Sequence, residues 1–249
     1  MINTSLYLFQ DKILFRPTVL EQNYQFEFKH NFEEVFLKPE ENAVINAIHF
    51  KVINPKGVIL YFHGNQGDLQ RWGKITEYFV EKQYDVFVMD YRTYGKSIGK
   101  LSENALYKDA EFLYNYVKEY YSESDITVYG RSLGTTFAVY VASKNNPNQL
   151  ILESPYYSIV DVAKSRFPLI PVTQFMNYHL PTYNFIDKVP CKISILHGTS
   201  DKVVPFSSGQ KLYQTSPRAR TNFISIEGAG HNNLIDFETY HETINHVLK

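Results

Sequence analysis

Ser132 stands between Gly130 and Gly134 in the run "VYGRSLG", with apolar residues before it and a helix-forming run after it. A serine hydroxyl is a weak nucleophile until a neighbouring base takes its proton and a third group orients that base. Small residues two before and two after a serine allow the sharp, strained strand-to-helix turn that exposes such a hydroxyl. The helix that follows brings free N–H groups and a favourable dipole to the reacting centre, where a tetrahedral intermediate develops negative charge. The N–H of Leu133 is the expected first donor to that oxyanion. The glycines alone do not separate an activated serine from a serine in a turn, so the rest of the chain must supply the partners.

Eight histidines are available, and only His231 lies in a glycine-rich loop, "EGAGHNNL", directly after an expected core strand. His241 and His246 fall on the expected terminal helix as surface residues, His30 in a turn and His49 in a strand. The run "ISILHGTSDKVVPF" passes from a buried strand through a turn at Gly198 and presents Asp201 on a loop. The chain order Ser132, Asp201, His231, each after a strand, suits acyl transfer by a serine nucleophile, an orienting acid and a base. A second oxyanion donor is expected from the loop "HGNQGD", His63 to Asp68, with Asn65 the candidate and His63 holding the loop. Asp90 at the end of "VFVMD" suits an alternative acid by position but fits the chain order less well than Asp201, and Arg131 is read as a residue that pins a neighbouring loop.

These loops need a scaffold. Residues 25 to 62 read as β-rich: "QFEFKHNFEEVFLKP" and "NAVINAIHFKV" alternate in part, and "VILYF" is apolar throughout, as in a strand covered on both faces. Helices are expected at Arg71 to Lys82, Ser102 to Tyr121, Leu133 to Lys144, Ser207 to Thr215 and Ile235 to Leu248. Strands are expected at Val86 to Met89, Ile126 to Tyr129, Leu150 to Leu152, Ile193 to Leu196 and Phe223 to Ile226. Alternation of this kind implies βαβ crossovers: an α/β fold with a mostly parallel central sheet of about eight strands flanked by helices. Residues 155 to 190, rich in Tyr, Phe and Pro, exceed one crossover and are expected to form a small helical lid in a single domain spanning 1–249. Ligands of open α/β sheets bind beyond the carboxyl ends of the strands, where that insertion would lie.

The motifs "FHGNQGD", "DYRTYGKS", "GRSLG", "HGTSDKVVP" and "GAGHNNL" occur in this order, and with them the chain resembles the α/β-hydrolase superfamily from about Phe15 to Lys249. It is most similar to small-lid serine hydrolases that include membrane-associated, depalmitoylase-like members. The resemblance implies Ser132 as nucleophile, Asp201 as acid, His231 as base, and Asn65 and Leu133 as oxyanion donors. It also implies a membrane anchor just upstream of the segment matching "LYLFQDKILFRP". The sequence departs from the family at Thr93, where glycine is common, and at Thr135 and Thr136, where smaller residues are common.

Composition narrows the function classes. The 249 residues carry a net charge of −1 with both signs scattered, which gives no field to attract nucleic acid or an anionic membrane. The single cysteine, Cys191, excludes an internal disulfide and a cysteine metal cluster and reads as a small core residue. No apolar run is long enough for a transmembrane helix, and the amino terminus lacks signal-peptide order. A cytoplasmic or membrane-associated protein is therefore expected. The chemistry calls for no metal and no organic cofactor. The expected substrates are small-molecule carboxylic esters or thioesters, with Tyr156, Phe167 and Phe175 as candidate substrate-binding residues. The same lid aromatics, with Leu169 and Tyr178, would equally serve as the insertion's own core. Two alternatives remain open at this stage: amide or peptide hydrolysis by the same triad, and a ligand-binding module without turnover.

Overall fold

A computed structural model describes residues 10–249. Eight strands form one sheet: β1 (Phe32–Glu40), β2 (Ala43–Phe50), β3 (Val58–Phe62), β4 (Asp85–Met89), β5 (Ile126–Arg131), β6 (Gln149–Glu153), β7 (Lys192–Gly198) and β8 (Thr221–Ile226). Their spatial order is β8-β7-β6-β5-β3-β4-β2-β1, with the β1–β2 and β2–β4 pairs antiparallel and the other pairs parallel. Helices accompany them, among them α1 (Leu69–Val80), α2 (Glu103–Lys118), α3 (Gly134–Lys144), α4 (Ile159–Arg166), α5 (Tyr183–Ile186), α6 (Phe206–Thr215) and α7 (Glu238–Val247).

Successive side chains of a strand point to opposite faces, and β3 shows what that does here. Val58, Leu60 and Phe62 join a core with Leu106, Leu113, Phe137 and Leu212 of α2, α3 and α6. Ile59 and Tyr61 join a second core with Trp72 and Phe79 of α1 and Tyr240 and Ile244 of α7. The sheet is thus covered on both faces, which is why its central strands read as unbroken apolar runs. Side-chain caps start the helices: Asp68 accepts from the N–H groups of Gln70 and Arg71, and Ser102 and Ser158 cap α2 and α4.

The first expected β segment is shorter than its pattern. Strand β1 begins at Phe32, and residues 25–31 form no strand. The alternating Phe26 and Phe28 instead stack on each other at 5.8 Å, with Phe28 edge-on to Phe50 at 5.1 Å. Packing against α1 and β2 supplies the period that the sequence displays. The interval between β6 and β7 carries α4, a 3₁₀ turn at Val172–Gln174 and α5. Among the described residues no helix is long and apolar enough to cross a membrane. The expected upstream anchor lies outside the described residues.

Candidate active site

Strand β5 ends at Arg131, and α3 begins at Gly134, so Ser132 occupies the turn between them. Its φ is 51°, in the left-handed region that side chains rarely adopt, and its N–H donates to Glu153 O at 2.9 Å. The turn needs its glycines. A Cβ on Gly134 would lie 2.0 Å from the Phe62 carbonyl oxygen, and one on Gly130 would lie 2.7 Å from Thr135 Cα. Thr135 Oγ1 donates to Ser132 O at 2.7 Å, and the hydroxyl of Thr136 bonds that of Thr182 beside α5. The two threonines therefore brace the turn and tie it to the β6–β7 interval. Thr93 has φ 75°, so the other family departure sits where only glycine is free of strain.

The structure brings Ser132, His231 and Asp201 together from three loops. His231 Nε2 lies 2.9 Å from Ser132 Oγ, and His231 Nδ1 lies 2.7 Å from Asp201 Oδ2. The N–H groups of Val203 and Val204 donate to Asp201 Oδ1 at 2.8 and 2.9 Å. Burial opposes ionisation of Asp201, but bonds from His197, His231 and the Val204 N–H outweigh it and hold the carboxyl well below the usual carboxylate range. The proton on His231 accordingly belongs on Nδ1, leaving Nε2 free to accept from the serine.

His197 was not singled out by its sequence context, yet it is fully buried with Nε2 3.4 Å from Asp201 Oδ2 and 3.1 Å from the Val204 carbonyl. Both neighbours accept, so His197 carries its proton on Nε2 and meets the same carboxylate oxygen that His231 does. The available signal is the spacing in "HGTSD", a histidine ending a strand four residues before the acid.

Asn65 and Leu133 both line the space beside Ser132. Among the described residues neither backbone N–H donates to another protein group, whereas the Asn65 side chain is occupied, donating to Leu14 O at 3.1 Å. The Asn65 carbonyl accepts from Tyr94 Oη at 2.8 Å and Arg16 N at 2.8 Å, which fixes the loop. His63 is fully buried, 2.6 Å from its neighbour Gly64 O and 3.3 Å from Asp90 Oδ1. That second pair is out of line for a hydrogen bond. Asp90 instead accepts from Leu69 N at 3.1 Å, anchoring the start of α1; burial raises its carboxyl, more than the His63 contact lowers it. Arg131 pairs with Glu153 at 3.1 Å and donates to Asn232 O at 3.4 Å, which ties β5 and β6 to the loop carrying His231.

Two cavities meet at Ser132. The first, of about 150 Å³, is walled by Leu133, Tyr156, Ile159, Val162 and Phe167, and Arg166 stands at its edge. The second, of about 280 Å³, is walled by Trp72, His231, Asn232 and four arginines. Of the aromatic residues expected to bind substrate, Tyr156 and Phe167 line the first cavity. Tyr156 is fixed by donating to Leu133 O at 3.2 Å. Phe175 lines neither cavity: the 3₁₀ turn at Val172–Gln174 ends at it, and its carbonyl accepts from Gln10. Tyr178 is core, edge-on to Phe15 at 4.9 Å, and Leu169 is 96% exposed, so neither forms part of the cavity wall. No cluster able to hold a metal ion exists among the described residues.

A family model, Hydrolase_4, described as serine aminopeptidase, S33, matches residues 53–190. An uncharacterized protein, R595, of Acanthamoeba polyphaga mimivirus is 33% identical over 226 residues, covering 82% of this chain and 76% of that protein. Alpha/beta hydrolase domain-containing protein 17C of Xenopus tropicalis is 34% identical over 196 residues, covering 76% of this chain and 61% of that protein. The chain therefore spans about three-fifths of the length of that relative. Among solved structures, esterase Pf2001 of Pyrococcus furiosus superposes with a TM-score of 0.74 at 17% identity, covering 94% of this chain and 96% of that one. At that identity the likeness is one of fold.

Proposed function

The chain belongs to the α/β-hydrolase family, and we propose that it is a serine hydrolase cleaving carboxylic esters or thioesters through an acyl-enzyme on Ser132. The observation that carries this reading is the unbroken relay from Asp201 to His231 to Ser132, at 2.7 and 2.9 Å, opening on an apolar cavity. His231 takes the Ser132 proton as Oγ attacks the substrate carbonyl, and Asp201 holds the imidazole and stabilises the charge it gains. The backbone N–H groups of Asn65 and Leu133 are the proposed donors to the oxyanion. His231 then gives the proton to the leaving group, and water, with His231 again as base, releases the acid.

The family model's description names an aminopeptidase, and that activity is disfavoured by the site's charge. A free α-ammonium needs a carboxylate beside the nucleophile, and among the described residues no Asp or Glu lines either cavity. The apolar wall around Val162 and Phe167 suits an acyl chain.

Initial rates on p-nitrophenyl esters from acetate to palmitate, wild type against Ser132→Ala, test the proposal. A rate that depends on Ser132 and has a chain-length optimum is expected, together with fluorophosphonate labelling that Ser132→Ala abolishes. Folded protein that shows no serine-dependent rate, or Ser132→Ala labelled as fast as wild type, overturns it.

A further inference from the structure

The second cavity has a chemistry that ester hydrolysis alone does not explain. Among the described residues its wall carries Arg16, Arg71, Arg131 and Arg166 and no acidic residue. Arg131 is already neutralised by the buried Glu153 at 3.1 Å. Arg16, Arg71 and Arg166 have no acidic partner and no side-chain hydrogen bond among the described residues. Arg71 is nevertheless held in place: its guanidinium lies 5.2 Å from the Trp72 ring centre, with Arg131 at 5.5 Å from the same ring. Three unneutralised guanidinium groups in one concave wall repel one another, an arrangement that is relieved when an anion binds between them. Guanidinium forks match the oxygens of phosphate groups in pairs.

Position relative to His231 decides what that anion belongs to. His231 lines the arginine cavity and does not line the apolar one. In acyl transfer the histidine that accepted the serine proton delivers it to the departing oxygen or sulfur. The departing group must therefore stand on the His231 side, and the acyl chain on the side walled by α4.

We infer that the arginine cavity is a leaving-group site, and that the preferred substrate is an acyl ester or thioester whose alcohol or thiol part bears a phosphate. This inference rests on the proposed serine hydrolysis and names its substrate class. The bond balance is that of ordinary acyl transfer. Ser132 Oγ bonds to the acyl carbon, the bond from that carbon to the phosphate-bearing alcohol or thiol breaks, and His231 protonates the departing atom. Water then splits the acyl-enzyme, returning the proton to Ser132.

A matched pair isolates the phosphate: 1-octanoylglycerol 3-phosphate against 1-octanoylglycerol, which differ in that group alone. At low salt kcat/KM for the phosphate ester should exceed that for the neutral ester by about tenfold or more, the effect of one good charge-assisted contact. The ratio should shrink as salt is raised, and fall towards one in the Arg16→Gln/Arg71→Gln double variant. Serine-dependent hydrolysis of the neutral ester with equal or slower hydrolysis of the phosphate ester overturns the inference and leaves the hydrolase reading standing. A second measurement needs no turnover: glycerol 3-phosphate titrated into Ser132→Ala should bind, and the same protein carrying both arginine substitutions should bind it at least about tenfold more weakly. No binding to Ser132→Ala, or binding that ignores the arginines, also overturns the inference.

Discussion

Replacing Asp201 with asparagine changes one oxygen for an NH₂ group and should nearly abolish turnover, for a reason set by the hydrogen bonds around it. Oδ1 accepts from two backbone N–H groups, Val203 at 2.8 Å and Val204 at 2.9 Å, so the amide of Asp201→Asn must keep its oxygen there. Its NH₂ then falls where Oδ2 was, 2.7 Å from His231 Nδ1. A donor at that point selects the His231 tautomer with its proton on Nε2, which faces Ser132 Oγ at 2.9 Å. That tautomer cannot take the serine proton. Turning the amide over would aim its NH₂ at two N–H groups, so neither arrangement restores the base. Loss of the correct tautomer in a Ser-His-Asp site costs about ten-thousand-fold in kcat, or roughly 5 kcal/mol of transition-state stabilisation. Asp201 lines neither cavity, so kcat and kcat/KM should fall together. The assay is steady-state hydrolysis of the best p-nitrophenyl ester, with circular dichroism and a melting curve to confirm folding. Because the carboxyl is held well below its usual range, wild-type Asp201 stays ionised in mild acid. Protonation of Asp201 itself should therefore not limit wild-type turnover between about pH 5 and 8. A folded variant that keeps more than a few per cent of kcat would refute this account of the acid's role.

Three further outcomes follow from residues outside the relay. Thr93 adopts φ 75°, which costs a β-branched residue about 1–2 kcal/mol, while glycine there loses about 0.5–1 kcal/mol of backbone entropy. Thr93→Gly should thus raise Tm by about 1–3 °C in calorimetry, and a lowered Tm would show that the side chain's contacts outweigh the strain. Burial pushes the Cys191 thiol up to about 11, so a thiol-specific disulfide reagent should react slowly with native protein and rapidly once urea unfolds it. Rapid reaction of the native protein would contradict the burial. His49 is lowered to about 4 by burial, and its Nε2 meets Tyr121 Oη at 3.0 Å while that hydroxyl donates to Asp85 at 2.6 Å. Its folded pKa is below the unfolded value of about 6.5. The unfolded chain therefore binds the proton first, and stability contributed above about pH 6.5 is lost as pH falls towards 4, on the order of 3 kcal/mol. Urea unfolding of His49→Gln should show a shallower loss across that window, and slopes identical to wild type would rule the residue out.

The strands that carry the site were legible because both sheet faces are covered, which makes the core strands unbroken apolar runs. Their ends were less legible, since charge hides them. The sequence ends β5 at Tyr129 and β6 at Leu152, but the strands run on to Arg131 and Glu153. These two are register partners and pair with each other at 3.1 Å, so two residues that look like loop are buried strand ends. The loops bearing Ser132, Asp201 and His231 were legible through glycine, because a chain that turns sharply at the end of a strand needs it. His197 was not singled out, because its one local signal, a histidine at a strand end four residues before an aspartate, gains meaning only once the fold sets it against Asp201. Phe175 failed for a related reason. Aromatic content locates an insertion, but only the direction of its turns decides which rings face the cavity, and the turn at Val172–Gln174 takes Phe175 out of the wall.

Charge shows where sequence averaging fails outright. A net charge of −1 with mixed signs excludes a strong overall field, and nothing in the order of residues groups Arg16, Arg71, Arg131 and Arg166. They come from four places: the segment before β1, the first turn of α1, the end of β5 and the end of α4. The same sheet order that gathers Ser132, His231 and Asp201 at the carboxyl ends of the strands also gathers these four side chains around the serine. Binding specificity in such a fold is then set by a local field of a few ångströms, opposed in sign to the chain as a whole. Because Ser132 lies on the boundary between an apolar wall and this basic wall, one carbonyl bound there is sorted at both ends: a hydrocarbon towards α4, an anion towards His231.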